Sequence, residues 1–525
     1  MNRVADLLSF MSEKGVRLWV DNGQLHYRAA EGVLRSEQIA TLRESKAEII
    51  AMLKQPPVLA NPKAALIRAA YRLAPLTFQQ EWFWNWWVKK HSASNCLVTS
   101  ILRLRGALDV GSLGRSVREV VRRHESLRTQ IVVVDGVPKQ QINQLCEDNG
   151  LLKVATLSGA SKDDVDREAQ RLVGRLFAEG LGLTDGPLFE ARLLKLAEHE
   201  HVLIIAIHHI VTDGLSLIRF FEELWVLYTD FMEKRQPSIA TPMQYADYAV
   251  WQRNTASSWQ DRHGDYWSRR LARAARVRFP IDSGLEAVER CTAAEIQISF
   301  SEKLSSALCE VARHERTTPS MVILALYAAI VLRWCKQIDF VIPFNVSGRS
   351  CPEQLEAMGL FVHPLLLRME LNGSETLQEL LGLVSQEFLA AHEHLDCGRA
   401  IAEAPDLLNG SFLNWVPWEP AELAGIPSAF GGHHSNSCLA VESFDISGEL
   451  TAITRITKKI DCDIGMTISN TNQGIRWSIN YRADLFTVDT MHRLARDLQL
   501  MAEQMVGDPR VCAASFHAGV ETRNC

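Results

Sequence analysis

The chain has 525 residues, of which 47% are apolar and 22% charged, and its formal net charge is −6. That length suits about two to four domains, and the mild acidity argues against nucleic acid as the main partner. The eleven cysteines are scattered singly, which predicts reduced thiols and neither a disulfide framework nor a metal site. No signal-peptide pattern opens the chain and no apolar run is long enough to span a bilayer, so we expect a cytoplasmic protein.

Residues 1–56 predict a small unit built as helix, hairpin and helix. Two alternating runs, residues 16–20 and 24–28, flank Asn22-Gly23, a pair typical of tight hairpins. Helical periodicity precedes and follows them. An exposed hairpin edge can accept an extended peptide as an added strand. The alternative is a plain extension that packs on the main domain.

A proline-punctuated linker, residues 57–71, leads to a larger region that opens with the aromatic cluster Trp82 to Trp87. An amphipathic helix follows over residues 109–123 and ends in a charge-dense segment that begins at Arg122. This segment predicts either a solvated face or a buried arginine network, and a buried arginine needs a carboxylate partner.

The segment His208-His209-Ile210-Val211-Thr212-Asp213-Gly214 is the strongest candidate for chemistry. It follows an apolar, β-branched run that predicts a buried strand, and it precedes an apolar-periodic helix from Leu215. Alternation along a strand places the two imidazoles on opposite faces. Imidazole titrates near neutral pH, which suits acid–base catalysis, and Asp213 is close enough to fix the loop. The alternative is a pair of core histidines bound to backbone carbonyls.

The second half predicts a further mixture of helices and strands beyond a boundary near residue 250. A mostly helical passage runs from Tyr245 to Trp267. The patterns then predict strands over residues 295–301 and 339–344, helices over 302–314, 318–334 and 491–505, and a hairpin within 465–481. The chain as a whole therefore predicts an α/β or α+β fold.

Residues 208–214 resemble the HHxxxDG motif of nonribosomal peptide synthetase condensation domains. Six more segments are similar to family motifs and occur in family order across about residues 72 to 510: 123–129 (RHExLRT), 185–188 (GPL), 245–253 (YxDYAxWQR), 339–349 (ending in GR), 359–362 (GxFV) and 481–486 (YRxDLF). Residues 1–56 are similar to the β-hairpin docking domains found at the start of such proteins in hybrid polyketide–peptide assembly lines.

The resemblance implies two chloramphenicol-acetyltransferase-like lobes in a V shape, residues 72–250 and 251–525, behind an α-β-β-α docking domain. A tunnel between the lobes would hold the HHxxxDG loop at its middle. Carrier proteins would load it from opposite faces, each presenting its cargo on a phosphopantetheine arm, with no cofactor bound by this chain itself. The docking domain would bind the C-terminal linear motif of a carrier protein, and we expect a monomer.

The resemblance assigns the catalytic imidazole to His209, either as a general base or as a group that positions the nucleophile. An α-amine is partly nucleophilic already, whereas a hydroxyl needs a true base. Asp213 is expected to hold the loop through a salt bridge. Arg349 is the first choice of partner and Arg123 the second.

The remaining assignments are supporting ones. Gly214 is a candidate oxyanion donor through its N–H, His208 a structural residue, and Asn414 a candidate polar residue of the tunnel. The docking surface is assigned to Arg17, Leu18, Trp19, Val20, Leu25 and Tyr27.

Three features depart from the family pattern. His363-Pro364 replaces the usual Asn-Thr, which puts one side of the tunnel in doubt. A second histidine pair, His433-His434, lacks the Asp-Gly and is interpreted as a loop. No adenylation or carrier domain follows, which predicts a free-standing enzyme that meets its carriers in trans and releases chains as esters or amides on a small acceptor.

Three other functions stay open. The first is an HxxxD acyltransferase that uses acyl-CoA, and the second is a scaffold that binds carriers without catalysis. The third is an epimerisation domain, although Leu217 stands where those domains usually have an aromatic residue. Substrates and partner proteins are not predicted.

Overall fold

The computed structural model describes the following residues: 17–21, 24–28, 71–90, 96–145, 150–157, 161–184, 186–256, 263–282, 293–395, 405–408, 410–416, 440–443, 462–471 and 474–514. Helices and strands are mixed throughout these ranges. The predicted mixed α and β fold is therefore confirmed.

The N-terminal hairpin is present. Strand β1 (Arg17–Asp21) pairs antiparallel with β2 (Gln24–Arg28), and Asp21 lies opposite Gln24. The predicted hairpin is thus confirmed, and the backbone of every residue assigned to the docking surface lies on it. The two helices expected around it and the linker, apart from its last residue Tyr71, lie outside the described residues.

The N-terminal half of the larger region begins at a short strand and ends in a helix. Its strands are β3 (Leu73–Pro75), β4 (Leu97–Arg105), β5 (Thr129–Val134), β6 (Val137–Ile142), β7 (Leu152–Thr156), β8 (Phe189–Ala197) and β9 (Glu200–His208). Its helices are α1 (Phe78–Lys90), α2 (Val110–Arg123), α3 (Lys162–Glu179), α4 (Gly214–Met232) and α5 (Tyr245–Asn254).

The C-terminal half continues in the same mixed pattern. Its strands are β10 (Ala293–Ser299), β11 (Asp339–Val346), β12 (His363–Glu370), β13 (Ser411–Val416), β14 (Ala440–Ser443), β15 (Ile464–Thr471) and β16 (Gly474–Arg482). Its helices are α6 (Asp265–Arg270), α7 (Glu302–His314), α8 (Pro319–Cys335), α9 (Pro352–Glu356), α10 (Leu377–Glu393) and α11 (Val488–Gly507).

Each half is organised around one large mixed sheet. The N-terminal sheet has the strand order β14-β4-β9-β8-β7, and a small sheet of β3-β6-β5 accompanies it. The C-terminal sheet has the order β10-β16-β15-β13-β11-β12. Strand β9 is central in its sheet and wholly buried after its first residue, as expected for a continuous apolar run. The histidine segment therefore leaves the middle of a sheet.

Two segments beyond residue 250 pack with the N-terminal half. Strand β14 pairs antiparallel with β4 at the edge of the N-terminal sheet. Four residues of the segment 357–361 belong to the buried cluster of the N-terminal half: Ala357, Met358, Leu360 and Phe361. The C-terminal half thus reaches across to the N-terminal half.

The core of the C-terminal half is dominated by α8, whose residues 321–332 are all buried. Thr318 caps this helix by accepting a hydrogen bond from the N–H of Met321, and a proline stands in its first turn. Among the described residues no single helix is long and apolar enough to cross a membrane. Helices α7 and α8 pass such a test together, by length and composition alone, across a bend of 103°.

Candidate active site

The two histidines lie where β9 ends. His208 is the last residue of the strand, and residues 209–211 form one turn of 3-10 helix before α4 begins at Gly214. The expectation that strand alternation separates the two imidazoles is wrong, because the strand geometry stops at His208. Both rings instead pack against Phe83 of α1, with centroid distances of 5.7 Å for His208 and 6.1 Å for His209.

The His209 ring is partly exposed and its tautomer is fixed by a backbone group. Its Nδ1 lies 2.9 Å from the carbonyl oxygen of Thr212. A carbonyl oxygen only accepts hydrogen bonds, so Nδ1 must carry the hydrogen. In the neutral ring this leaves the lone pair on Nε2, which is the atom that can take a proton from a substrate.

His208 is buried and holds the opposite tautomer. The N–H of Ile210 donates to its Nδ1 at 3.2 Å, so this nitrogen is unprotonated in the neutral ring. Burial, with a smaller effect of the neighbouring His209, lowers the pKa of His208 to about 3. His208 therefore stays neutral near pH 7 and fixes the turn, in agreement with a structural role.

The Asp213 carboxylate is fully occupied by hydrogen-bond donors. Oδ1 accepts from the N–H of Ser216 at 2.8 Å and from Arg349 Nη2 at 2.9 Å. Oδ2 accepts from the N–H groups of Phe361 at 3.1 Å and Val362 at 3.3 Å. The same side chain caps the N-terminus of α4. With both oxygens engaged, Asp213 holds the loop and the neighbouring segment in place and has no free oxygen for proton transfer.

Arg349 is the partner of Asp213, as predicted. The two side chains are only 1% and 3% exposed. Nη1 of Arg349 donates to the carbonyls of Gln354 and, at 2.7 Å, Ala357, and its guanidinium lies 4.2 Å from the centre of the Phe361 ring. This set of contacts meets the requirement that a buried arginine be both paired and hydrogen-bonded.

Arg123, the second choice of partner, binds elsewhere, and its assignment to Asp213 is wrong. Its Nε lies 2.8 Å from Glu223 of α4, and its other nitrogens donate to the carbonyls of Ile239 and Ala240. Burial alone would raise the pKa of Glu223, but the hydrogen bonds and charges of His124 and Arg123 lower it to about 2. From Arg123 onward the charge-dense segment is therefore a buried network, whereas Arg122 is 61% exposed and pairs with Glu119 of the same helix.

The two remaining predicted residues lie on different elements. Gly214 is exposed and is the first residue of α4, where backbone N–H groups have no partner within the helix. Asn414 lies on β13 of the C-terminal sheet, paired with Asn345 of β11 and Thr467 of β15. Asn414 thus belongs to the C-terminal sheet, whereas His209 follows β9 of the N-terminal sheet.

His363, where the chain departs from the family pattern, is buried beside the Asp213 contacts. Its Nδ1 lies 3.1 Å from the carbonyl oxygen of Phe361, so it donates there. Gly348 has a φ of +62°, and a Cβ at this position would come within 2.2 Å of the same carbonyl oxygen. The glycine that precedes Arg349 is therefore required both by its backbone angle and by this close approach.

Sequence reasoning missed two residues that join the halves. Ser216 Oγ lies 3.0 Å from the carbonyl oxygen of Gly359 and accepts from its N–H at 3.1 Å. The Tyr245 hydroxyl donates to the Leu360 carbonyl at 2.5 Å, and its ring fills the space where a Cβ of Gly359 would lie. Tyr245 opens the YxDYAxWQR segment, so its position was visible in the sequence although its contact was not.

No group of three or more His, Cys, Asp or Glu side chains within the described ranges is arranged to hold a metal ion. The groups that the described residues bring together at this site are His209 Nε2, the N-terminus of α4 and the buried Asp213–Arg349 ion pair that fixes the loop.

Comparison with known proteins identifies the family. Residues 71–517 match the model of the condensation domain, and residues 4–55 match that of the TubC N-terminal docking domain. A linear gramicidin synthase protein of Brevibacillus parabrevis is 30% identical over 457 residues, which are 83% of this chain and 8% of that protein. Phosphinothricin tripeptide synthetase PhsB of Streptomyces viridochromogenes is 28% identical over 81% of this chain and 35% of that protein. The chain thus spans only a part of these curated relatives.

Solved structures agree in fold. SgcC5 of Streptomyces globisporus superposes with a TM-score of 0.64 at 22% identity, covering 83% of this chain and all of that one. The X-domain from teicoplanin biosynthesis gives a TM-score of 0.70 at 23% identity, covering 86% of this chain and 99% of that one. Since the family model covers most of the chain, this protein belongs to the condensation domain family and carries a TubC-type docking domain at its N-terminal end.

Proposed function

We propose that this protein transfers an acyl group from the phosphopantetheine thioester of a carrier protein to an amine or hydroxyl acceptor. The product is an amide or an ester in nonribosomal peptide or hybrid polyketide biosynthesis. The observation that supports this most is the fixed tautomer of His209, whose Nδ1 donates to the Thr212 carbonyl at 2.9 Å and whose partly exposed ring leaves Nε2 to accept a proton.

The proposed step balances without a cofactor of this chain. The acceptor attacks the thioester carbonyl and its proton moves to His209 Nε2. The carbon–sulfur bond then breaks, and the proton passes to the departing phosphopantetheine thiolate. The Gly214 N–H at the start of α4 is our candidate donor to the developing oxyanion, and one such donor is worth roughly 3 kcal/mol in other enzymes. An amine acceptor needs less help from the base than a hydroxyl.

The docking hairpin supports a carrier protein as the donor. Among the residues that the structure describes, β1 and β2 form a sheet of two strands, and the outer edge of such a strand can accept an extended peptide by backbone pairing. We propose that the C-terminal linear segment of a carrier protein binds here, on residues 17–20 and 25–27. Its acyl group would then reach His209 on the phosphopantetheine arm.

The test is intact-mass spectrometry of an acyl-loaded carrier protein incubated with this protein and a mixture of amine and hydroxyl acceptors. We expect loss of the acyl mass and a new amide or ester. His209→Ala should slow transfer by about 10²- to 10⁴-fold. His314→Ala is the matched control, because its side chain is 84% exposed at the end of α7.

Each other outcome has a definite meaning. Equal rates with acyl-CoA would make the donor a free thioester and would overturn the carrier-protein assignment. Amide formation alone would exclude the ester product. Carrier binding without any transfer would leave a scaffold that recruits carriers.

A further inference from the structure

Helix α1 touches the histidine loop through two buried side chains. Phe83 packs on both imidazoles. One turn earlier on the same helix, Gln80 is fully buried and donates its Nε2 to the carbonyl oxygen of Ile210 at 3.0 Å. Gln80 and Ile210 are 130 positions apart, so this bond is a product of the fold.

The orientation of the Gln80 carboxamide is set by backbone groups. Its Oε1 accepts from the N–H of Thr77 at 3.1 Å, and its Nε2 also lies 3.2 Å from Gln140 Oε1. A backbone N–H on one side and a backbone carbonyl on the other leave no alternative assignment of oxygen and nitrogen. Gln140 is held in turn by the carbonyl of Pro75. The group that faces Ile210 is therefore a rigid, fully bonded donor.

The Ile210 carbonyl lies in the middle of the turn that orients His209. Thr212 N–H donates to the His209 carbonyl at 3.3 Å, and the His209 ring donates to the Thr212 carbonyl at 2.9 Å. Rotation of the Ile210 peptide would move His209 and Thr212, the two ends of this turn. It would therefore also move the His209 ring, which is held by the Thr212 carbonyl. Gln80 is placed to prevent that rotation.

We infer that Gln80 is a positioning residue for the reaction: it fixes the Ile210 peptide and so holds the His209 ring with Nε2 toward the acceptor. The expected effect on kcat rests on the proposed function, because it arises from the orientation of His209. Gln80 itself touches no reacting atom.

Gln79 provides a matched control on the same helix. Its side chain is also buried, and its Oε1 accepts from Gln252 Nε2 at 3.1 Å, on the side of α5. Replacing either glutamine by leucine removes one buried carboxamide from α1. Both variants thus lose a buried polar group of the same kind from the same helix, whereas the histidine loop should respond to only one of them.

The first measurement is steady-state transfer by Gln80→Leu and Gln79→Leu with the acyl carrier as donor. A displacement of a catalytic group by about 1 Å can cost roughly a hundredfold in rate. We expect kcat of Gln80→Leu to fall by that order while KM for the carrier is unchanged, and Gln79→Leu to keep the kcat of the unmodified protein. Equal kcat losses in both variants would overturn the inference.

The second measurement is the ratio of kcat for Gln80→Glu to kcat for the unmodified protein as a function of pH. The neutral carboxylic acid retains a hydrogen to donate to the Ile210 carbonyl, whereas the carboxylate faces that oxygen without one. We expect the ratio to rise as the pH falls. A constant ratio would mean that the donated hydrogen has no role.

The third measurement does not depend on activity, so it separates a failure of this inference from a failure of the proposed function. Deuterium exchange of the peptide containing residues 208–213 should quicken at least about tenfold in Gln80→Leu, because local opening then costs less free energy. It should stay unchanged in Gln79→Leu. If the loop exchanges alike in both variants, Gln80 does not hold it, whatever the protein transfers.

Discussion

Two buried arginine–carboxylate pairs involve α4, one at its N-cap and one within the helix, and they have different roles. Asp213–Arg349 joins the first turn of that helix to the C-terminal half, across 136 positions of the chain. Arg123–Glu223 joins the middle of the same helix to α2, across 100 positions within the N-terminal half. Both are almost inaccessible to solvent, with side chains at most 7% exposed.

The difference lies in what else each carboxylate binds. Asp213 also accepts from the N–H groups of Phe361 and Val362, so it anchors the segment that crosses from the C-terminal half. The partners of Glu223 are the side chains of Arg123 and His124. The Asp213–Arg349 pair thus fixes the active-site loop and the junction of the two halves. The Arg123–Glu223 pair fixes the packing of α2 against α4 within the N-terminal half.

The largest expected effect comes from Arg349→Ala. It leaves the Asp213 carboxylate buried without its cation, which typically costs about 3–5 kcal/mol of unfolding free energy. Acyl transfer by the folded fraction should also fall by roughly a hundredfold, because the loop that carries His209 loses its anchor. Urea unfolding and initial rates, both measured below room temperature, report the two losses.

Arg123→Ala is the control for that comparison. It should lose a similar amount of stability, because Glu223 is equally buried, yet the folded protein should keep its kcat. If both variants lose the same fraction of activity per folded molecule, the conclusion that only the Asp213–Arg349 pair supports catalysis is wrong.

The sequence predicted local structure at the site well. The apolar run before His208 indicated the buried strand, and the periodic residues from Leu215 indicated the helix after the Asp-Gly pair, but the role of Asp213 as the cap of α4 was not predicted. The resemblance supplied Arg349 as a partner, since the GR segment recurs in the family. What could not be predicted was where β9 stops, because the 3-10 turn after His208 depends on the Ile210 hydrogen bonds to His208 and to a distant helix.

The other contacts that could not be predicted join segments far apart in the sequence. Ser216 reads as an ordinary residue in the first turn of a helix, and its bonds to Gly359 span 143 positions. Arg123 is the last residue of α2 and Arg349 follows β11, and the local sequence of each arginine does not name the carboxylate that it binds. Only the packing of α2 against α4 decides that Arg123 binds Glu223.

The two regions should lose stability in different pH ranges. The pKa of His208 is lowered to about 3 in the folded protein, from about 6.5 when unfolded. The unfolded state therefore takes up a proton that the folded state refuses, so stability is complete above about pH 6.5 and falls as the pH drops toward about 3. The loss approaches about 1.4 kcal/mol per pH unit.

The Glu223 region loses its contribution at lower pH. The pKa of Glu223 is lowered to about 2 from an ordinary value of 4.5, so its stabilisation is complete above about 4.5 and is lost as the pH falls toward about 2. His208→Asn keeps an acceptor for the Ile210 N–H but cannot be protonated. It should reduce the slope of the urea-unfolding free energy between about pH 6.5 and 4.5, while Glu223→Gln should leave that slope unchanged. The slope that remains is expected from His201, His392 and His394, because burial lowers the pKa of each of these imidazoles as well. If Glu223→Gln changed the pH dependence in that range and His208→Asn did not, the prediction that His208 is the acid-sensitive group would be wrong.

The smallest effect is expected from a third contact at the junction of the halves, between Arg219 and Glu356. Their charged atoms are 3.1 Å apart, but the side chains are 18% and 38% exposed, and Arg219 also pairs with Glu222 at 2.9 Å. Exposed pairs contribute less than about 1 kcal/mol. Glu356→Gln should therefore cost no more than that in urea unfolding, and the cost should vanish in about 1 M salt, where the screening length is only about 3 Å.

Glu222→Gln is the control for this contact, because it removes the other partner of Arg219 without touching the junction. The loss caused by Arg349→Ala should persist at the same salt concentration, since that pair is shielded from solvent. A salt-resistant loss above about 2 kcal/mol in Glu356→Gln would exceed what an exposed pair supplies and would mean that the junction depends on several ionic contacts. The single buried pair at Asp213 would then no longer explain how the two halves hold the histidine loop between them.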